Sequence, residues 1–130
     1  KPNHTFVGHF IGSPGMNFLP CELDGGFPVF NGNRIKISAP VSQPETTKKM
    51  ELGVRPEFVK IDANGFPVNI NRIDDVGRYK IVKVENSGHY FNVYVPEELE
   101  IPSENMHVSF DPENTHIYCD GWLHDKKESS

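Results

Sequence analysis

The segment Met50-Glu51-Leu52-Gly53-Val54-Arg55-Pro56-Glu57 occurs in two related versions in this chain. Its counterpart is Met106-His107-Val108-Ser109-Phe110-Asp111-Pro112-Glu113, and an isoleucine follows each copy, at Ile61 and Ile117. The residues before each proline alternate in the manner of a β-strand. Proline fixes φ and cannot donate to a ladder, so it ends that strand. Each copy therefore predicts a strand, a Pro-Glu turn and a second short strand.

Two explanations fit this repeat. The copies could be convergent strand-turn chemistry, since proline and glutamate both suit a turn. They could instead record an ancient duplication, which would give two related β-units packed into one domain. The sequence alone leaves both open.

Outward from the repeat, short apolar runs separated by turn residues predict further strands. Asn31-Gly32-Asn33 and Asn86-Ser87-Gly88 are typical of hairpin turns. Eleven glycines and eleven prolines among short strands suit a barrel or a sandwich, so we predict a mainly β, barrel-like fold. Within the repeat the predicted strands are Met50–Val54 and Phe58–Ile61 in the first copy, and Met106–Phe110 and His116–Tyr118 in the second. The predicted strands outside the repeat are Met16–Leu23, Phe27–Phe30, Arg34–Ile37, Val68–Ile73, Gly77–Glu85 and Tyr90–Val95.

The start of the chain carries the helical signal. Asn3 can cap a short helix, and Gly12 followed by Pro14 predicts its end. We expect a helix and linker over residues 1–15 and a β domain over residues 16–130. The apolar stripe of the helix comprises Phe6, Val7, Phe10 and Ile11.

The stretch 39–49 lacks apolar periodicity and predicts an exposed loop.

Composition limits the function classes. A net charge of −5 argues against nucleic-acid binding, which needs a basic face. Two distant cysteines, Cys21 and Cys119, favour reduced thiols over a disulfide. No apolar run approaches the ~18 residues of a membrane span, and no signal peptide opens the chain. Because Lys1 is not an initiator methionine, we expect a fragment of a longer protein.

The chain shows no pattern for catalysis or cofactor binding. It has no phosphate-binding G-x-x-x-x-G-K-[ST] loop and no G-x-S-x-G elbow. His116, Cys119 and His124 fit no zinc pattern. We therefore expect no catalytic, cofactor-binding or metal residues here, and no enzyme activity in this fragment.

Two segments together carry a resemblance to a known family. Phe6-Val7-Gly8-His9-Phe10-Ile11-Gly12-Ser13-Pro14-Gly15-Met16-Asn17-Phe18-Leu19 resembles the opening of the C-terminal regulatory domain of ABC importer ATPase subunits. The maltose and glycerol-3-phosphate branch has the hallmark F-I-G-S-P-x-M-N-F there. Leu52–Glu57 resembles its second hallmark, L-G-[IV]-R-P-E. Phe110–Glu113 with His116–Tyr118 resembles its closing strand-turn-strand, although Cys119–Trp122 replaces the usual phenylalanine-aspartate ending.

This resemblance implies a transport-associated OB (TOBE) domain, an OB-like β-barrel fused behind a nucleotide-binding domain. ATP and magnesium would belong to the parent subunit and not to this fragment. The implied partners are the chain's own nucleotide-binding domain, a second copy of the subunit, the membrane subunits, and a regulatory protein or small ligand, with no nucleic acid. The implied location is the cytoplasmic face of the membrane. The implied structural or interface residues are Phe10, Gly12, Ser13, Pro14, Met16, Asn17, Phe18, Gly53, Arg55, Pro56 and Glu57.

The sequence also supports hypotheses about roles. Phe6, Phe10, Ile11, Met16 and Phe18 either anchor the N-terminal segment on the barrel or are plain core residues. Arg55 and Glu57 would pair across the Pro56 turn or with another subunit.

The first function reading is a regulatory, dimer-supporting domain. The alternative is a module that senses a small anion or sugar, in a pocket with Arg34, Arg72 or Arg78. Single-stranded nucleic-acid binding through Tyr90 and Phe91 is a third reading, which the acidic balance disfavours.

Overall fold

A computed structural model describes residues 15–124, which form eleven β-strands and two 3₁₀ turns. The mainly β class is confirmed. The predicted N-terminal helix, with Phe10, Gly12, Ser13 and Pro14, lies outside the described residues. The strands are β1 (Asn17–Pro20), β2 (Glu22–Asp24), β3 (Phe27–Phe30), β4 (Asn33–Arg34), β5 (Met50–Val54), β6 (Val59–Asp75), β7 (Tyr79–Asn86), β8 (His89–Pro96), β9 (Met106–Phe110), β10 (Thr115–Cys119) and β11 (Trp122–His124). The 3₁₀ turns are Pro56–Phe58 and Pro112–Asn114.

The strands form three antiparallel sheets. One has the order β1-β5-β10-β11, a second has the order β2-β3-β4, and the third has the order β8-β7-β6-β9. Within residues 15–124 the hydrogen-bonded ladders do not close into one barrel. The outer edge of β8 is thus left without a partner strand in these ladders.

The internal repeat forms matching structure in both copies. Each copy is a strand, a 3₁₀ turn that begins at proline, and a second strand. The first strand of each copy pairs with the second strand of the other. In one ladder, Leu52 lies opposite Ile117. The equivalent residues of the other copy, 56 positions away, are Val108 and Ile61, and these two lie opposite each other in the other ladder. The two ladders are therefore related by a pseudo-twofold, which favours duplication over convergence.

Two-residue turns set the register of four hairpins. The turns Gly25-Gly26, Asn31-Gly32, Ser87-Gly88 and Asp120-Gly121 all have positive φ at both positions. Residues on either side of each turn are paired, as in Phe30 with Asn33 and Asn86 with His89. These are the type I′ turns that match the twist of paired strands. The hairpins predicted at Asn31-Gly32 and at Ser87-Gly88 are confirmed.

One hydrophobic core joins all three sheets, and its aromatic part lies between the small β2-β3-β4 sheet and the β8-β7-β6-β9 sheet. Four buried phenylalanines join the two, and their ring centroids lie 5.5–6.4 Å apart in mostly edge-to-face contacts. Aromatic pairs of this geometry contribute about 0.5–1.5 kcal/mol beyond their buried area. The four are Phe30, Phe66, Phe91 and Phe110.

Strand β6 differs from the sequence prediction. Two short strands were expected, Phe58–Ile61 and Val68–Ile73, whereas the structure has one strand from Val59 to Asp75. The register against β9 slips in between, since Ile61 and Phe66 both pair with Val108. Residues 62–65 form this bulge, and the Asp62 carboxylate accepts the Asn64 N–H at 2.9 Å. Residues 62–65 therefore interrupt the pairing between the two predicted strands, but the chain continues beyond them as one strand.

Two other predicted strands also differ. Met16–Leu23 is divided at Cys21 into β1 and β2, which belong to different sheets. Arg34–Ile37 is a strand only as far as Arg34, although Ile35 and Ile37 are buried. Strand β11 was not predicted, because three residues carry too little periodicity.

The stretch 39–49 is a loop, as expected, but it is held at both ends. Val41 is buried, and its N–H donates to the Gly26 carbonyl. At the other end, the Asp120 carboxylate accepts the N–H groups of Lys48 and Lys49. The departure from the family ending at Cys119–Trp122 thus supplies both a tight turn and an anchor for this loop.

Candidate functional site

The three segments that carry the family resemblance meet at one place, which we call the motif junction (Met16, Phe18, Gly53 and Tyr118). Gly53 lies in the middle strand, opposite Phe18 on β1 and His116 on β10. The Phe18 and Tyr118 rings are in edge contact, with centroids 5.2 Å apart. A Cβ on Gly53 would lie 2.7 Å from the Tyr118 ring and 2.9 Å from the Met16 methyl. Glycine is therefore needed so that these three side chains can close over β5.

Asn17 has a clear structural role. Its side chain is buried, and its amide donates to the Asn92 carbonyl at 2.9 Å and accepts the Asn92 N–H at 2.9 Å. A neighbouring β-strand would make the same two bonds. Asn17 thus satisfies one position on the open edge of β8 and ties the first sheet to the third.

The two charged residues of the second hallmark lie on either side of a buried proline. Pro56 is buried, Arg55 and Glu57 are exposed, and the Phe58 N–H closes the turn on the Arg55 carbonyl at 2.9 Å. Arg55 and Glu57 form no ion pair with each other in the described residues. Their predicted pairing across the turn is therefore not formed, and pairing with another subunit stays a prediction.

The surroundings of Arg55 and Glu57 differ. Burial raises the pKa of the Tyr118 hydroxyl, and the Arg55 guanidinium partly opposes this rise. Arg55 is therefore near enough to the motif junction to influence the Tyr118 hydroxyl. Glu57 instead lines a groove beside β6 and β8. The second hallmark thus places the positive charge of Arg55 near the motif junction and the negative charge of Glu57 at the groove.

Two cavities separate the three arginines proposed for ligand sensing. Arg34 lines a polar basin of about 620 Å³, where its guanidinium lies 4.9 Å from the centre of the Phe27 ring. Arg78 lines an apolar groove of about 530 Å³. Arg72 pairs with Asp74 at 3.2 Å and lines neither cavity. The structure does not bring the three arginines together.

The polar basin holds Asp62 close to two lysines. The pKa of Asp62 is lowered by the Asn64 N–H, by the Ser109 hydroxyl, and by the charges of Lys60 and Lys36. The carboxylate thus offsets part of the positive charge in the basin.

The two cysteines are free thiols that flank β5. The Cys21 N–H donates to the Met50 carbonyl, and Cys119 pairs with Met50 from the other side. Two ladder spacings separate their backbones by roughly 10 Å, which is beyond disulfide reach. Burial, with smaller electrostatic contributions from Cys119, Glu51 and Glu22, raises the pKa of Cys21 to about 12. Burial also raises the pKa of Cys119.

Two further features concern residues 15–124 alone. No three His, Cys, Asp or Glu side chains come together there in a way that could hold a metal ion. This part of the chain also contains no helix long and apolar enough to cross a membrane.

Sequence reasoning placed Met16, Asn17, Phe18 and Gly53 among the important residues but missed their partners. Asn92 carries no motif, and Tyr118 lies in the closing segment of the family resemblance but was not named as a site residue. The partner contacts join residues far apart in sequence, 75 residues in the case of Asn17 and Asn92. No local pattern could have identified them.

These features define an OB-type β domain built around a repeated strand-turn-strand unit. Residues 12–59 match the family described as the MalK OB fold domain. This matched segment includes the described part of the first hallmark and all of the second. The OB-like class is confirmed.

The chain is homologous to the ATP-binding subunits of solute importers. An sn-glycerol-3-phosphate import ATP-binding protein, UgpC 2, from Agrobacterium fabrum (strain C58 / ATCC 33970) is 26% identical over 91% of this chain and 33% of its own length. The UgpC protein of Ruegeria sp. (strain TM1040) is 32% identical over 91% of this chain and 34% of its own length. A sulfoquinovosyl glycerol transport ATP-binding protein, SmoE, from Agrobacterium fabrum is 27% identical over 91% of this chain and 35% of its own length.

The resemblance read from the hallmarks is thereby confirmed. The chain spans about a third of the length of the curated relatives it matches.

Proposed function

We propose that this chain is the C-terminal regulatory and dimer-supporting domain of the ATP-binding subunit of an ABC importer. Its solutes would be sugars or compounds like glycerol 3-phosphate. ATP hydrolysis would belong to a nucleotide-binding domain elsewhere in the subunit, so the fragment itself has no catalytic role. The assembled transporter would hold the domain at the cytoplasmic face of the membrane, together with a second copy and the membrane subunits.

The observation that carries this proposal is the motif junction. The hallmark residues there include both buried side chains and an exposed charge. Gly53 and Asn17 are buried and structural, whereas Arg55 is exposed beside the junction. A sheet surface with an exposed arginine suits a contact with a neighbouring domain or subunit, because arginine presents a planar set of donors to carboxylates.

The experiment that tests the dimer-supporting role is analytical ultracentrifugation of this chain from micromolar to submillimolar concentration. We expect a concentration-dependent dimer. Arg55→Ala should weaken the association and leave the thermal midpoint nearly unchanged, because the side chain is exposed. Arg72→Ala is the matched control, since Arg72 is an exposed arginine in a surface pair with Asp74. A strictly monomeric chain, or equal effects of the two substitutions, would count against this role.

A second candidate function is the sensing of a small ligand. The apolar groove beside Glu57 and Arg78 favours it, because small-molecule sites are concave and largely apolar with a few polar groups.

A further inference from the structure

The apolar groove is formed at the seam where the ladders do not close. Its walls are the start of β6, the end of β8, and the residues that flank the β6–β7 turn. Its floor includes Val59, Val93 and Val95, each at most 1% exposed. A volume of about 530 Å³ falls within the ~300–1,000 Å³ typical of small-molecule sites. The groove is therefore large enough for a compact organic ligand.

Aromatic and aliphatic side chains form the apolar wall. Tyr79 and Tyr94 lie against each other, with centroids 4.8 Å apart and a 36° angle between the rings. Leu99 is 51% exposed at the mouth of the same groove. A sugar ring has an apolar face of C–H groups that packs on such side chains, while its hydroxyls need polar partners.

Polar groups suited to hydroxyls and to an anion surround this wall. Glu57 and Arg78 line the groove, both are exposed, and neither is in an ion pair among residues 15–124. A carboxylate accepts hydrogen bonds from hydroxyls, and a guanidinium binds phosphate or sulfonate oxygens in pairs. The two charges come from different elements, the first 3₁₀ turn and the β6–β7 connection.

The backbone of β8 adds a donor and an acceptor. Backbone polar groups alternate sides along a strand. Asn92 points its N–H and carbonyl away from β7, toward Asn17. Tyr94 is two residues further on in the same uninterrupted register, so its N–H and carbonyl point the same way. Asn17 binds the backbone groups of Asn92, whereas those of Tyr94 border the groove.

We propose that this groove binds a monosaccharide that carries a phosphate or sulfonate group. The sugar ring would pack on Tyr79, Tyr94 and Leu99. Its hydroxyls would bond to Glu57 and to the Tyr94 backbone, and its anionic group would bind Arg78. The inference rests on the second candidate function, ligand sensing in this groove, and names its ligand class; it does not depend on association of the chain.

The polar basin is the competing location for such a ligand. It holds three basic residues against two in the groove, and each cavity holds one carboxylate. The basin nevertheless offers no tyrosine wall for a sugar ring, and its Arg34 guanidinium is engaged with the Phe27 ring. Lys60 lines both cavities and influences Asp62, so it cannot distinguish them. Arg34 and Arg78 can, since each lines one cavity.

The test is a titration of the uniformly ¹⁵N-labelled chain with glucose 6-phosphate, followed by NMR. We expect amide shifts at Ile61, Tyr94 and Val95. Glucose, which lacks the anion, and sn-glycerol 3-phosphate, which lacks the ring, should each bind at least about tenfold more weakly. Arg78→Gln should weaken glucose 6-phosphate binding by about tenfold, the effect of losing one charged hydrogen bond. Leu99→Glu should also weaken glucose 6-phosphate binding, because it puts a negative charge that repels the phosphate at the exposed mouth of the groove.

Arg34→Gln is the control and should leave the affinity unchanged. Shifts that cluster at Lys36, Asn64 and Ser109 and depend on Arg34 would place the ligand in the polar basin and overturn the proposal. An affinity unaffected by Arg78→Gln would also overturn it, as would equal binding of glucose and glucose 6-phosphate. The absence of amide shifts at about 10 mM glucose 6-phosphate would also overturn the proposal. A monomeric chain that binds the sugar would refute dimer support alone, and a dimer that does not bind it would refute this inference alone.

Discussion

Replacing Asn17 by alanine tests whether the first hallmark stabilises the domain by satisfying the edge of β8. The amide of Asn17 bonds to both backbone groups of Asn92, each at 2.9 Å, in a partly buried site. Asn17→Ala removes both bonds and leaves the β1 backbone pairing with Val54 in place. The change therefore isolates the link between the first and third sheets.

The expected cost follows from the number of groups left unpaired. A hydrogen bond contributes about 1 kcal/mol net, and a buried donor or acceptor left without a partner costs about 1–3 kcal/mol. Partial burial of the Asn92 site lets water replace some of this loss. We expect the free energy of unfolding to fall by about 2–4 kcal/mol. Each kcal/mol lost should lower Tm by several degrees.

The assay is urea unfolding followed by circular dichroism, together with hydrogen exchange at the Asn92 amide. Asn69→Ala is the matched control, because the exposed Asn69 amide bonds only to the Glu85 carboxylate among the described side chains, at 3.1 Å. It should cost less than about 0.5 kcal/mol. If Asn17→Ala costs no more than the control, or if exchange at Asn92 is unchanged, the proposed role of Asn17 is wrong.

The remaining predictions concern the bulge, a thiol and a turn. Gly65→Ala should cost about 3 kcal/mol or more in urea unfolding, because its Cβ would overlap the Val108 carbonyl, whereas Gly32→Ala, strained but uncrowded, should cost about 1–2 kcal/mol. Equal costs would argue against the close approach. Because burial raises the pKa of Cys21 from 9.0 to about 12, the unfolded chain loses this proton first, and stability should decline as pH rises above 9.0 and through about 12. Unfolding measured across this range in Cys21→Ala should show a smaller decline, and an unchanged pH dependence would contradict the assignment. The pKa of Glu85 is lowered by the Gly88 N–H and the Asn69 amide, so its contribution is present above the ordinary value of 4.5 and lost as pH falls below it. Glu85→Gln should reduce this acid dependence in thermal unfolding, and an identical acid profile would refute it.

Local chemistry determined what could be predicted from the sequence. Asn31-Gly32 and Ser87-Gly88 identified their hairpins, because positive φ is a property of the turn residues themselves. The repeat identified two strand-turn-strand units for the same reason. Bulges and edges depend on distant partners, so Gly65 against Val108 could not be read from neighbouring residues.

The candidate site divides in the same way. The hallmarks singled out residues in and beside β1 and β5, and the structure brings three of them, Met16, Phe18 and Gly53, together. The apolar groove could not be predicted, because it arises at a seam between β6 and β8, which are not hydrogen-bonded neighbours in the sheet. Arg78 was named as a candidate, but its neighbours Tyr79, Tyr94 and Leu99 were not.

The pseudo-twofold has a consequence for how the domain is made. Neither copy of the repeat pairs its own two strands, so β5 must wait for β10 and the start of β6 must wait for β9, at separations on the order of 50 residues. During synthesis from the N-terminus, Leu52 and Val54 therefore leave the ribosome well before the strand that covers them. Until then β5 has an open edge, the kind of surface that joins a foreign strand. Slow translation between residues 55 and 115 would lengthen this exposure, and a chaperone bound to the nascent chain would cover the open edge during it.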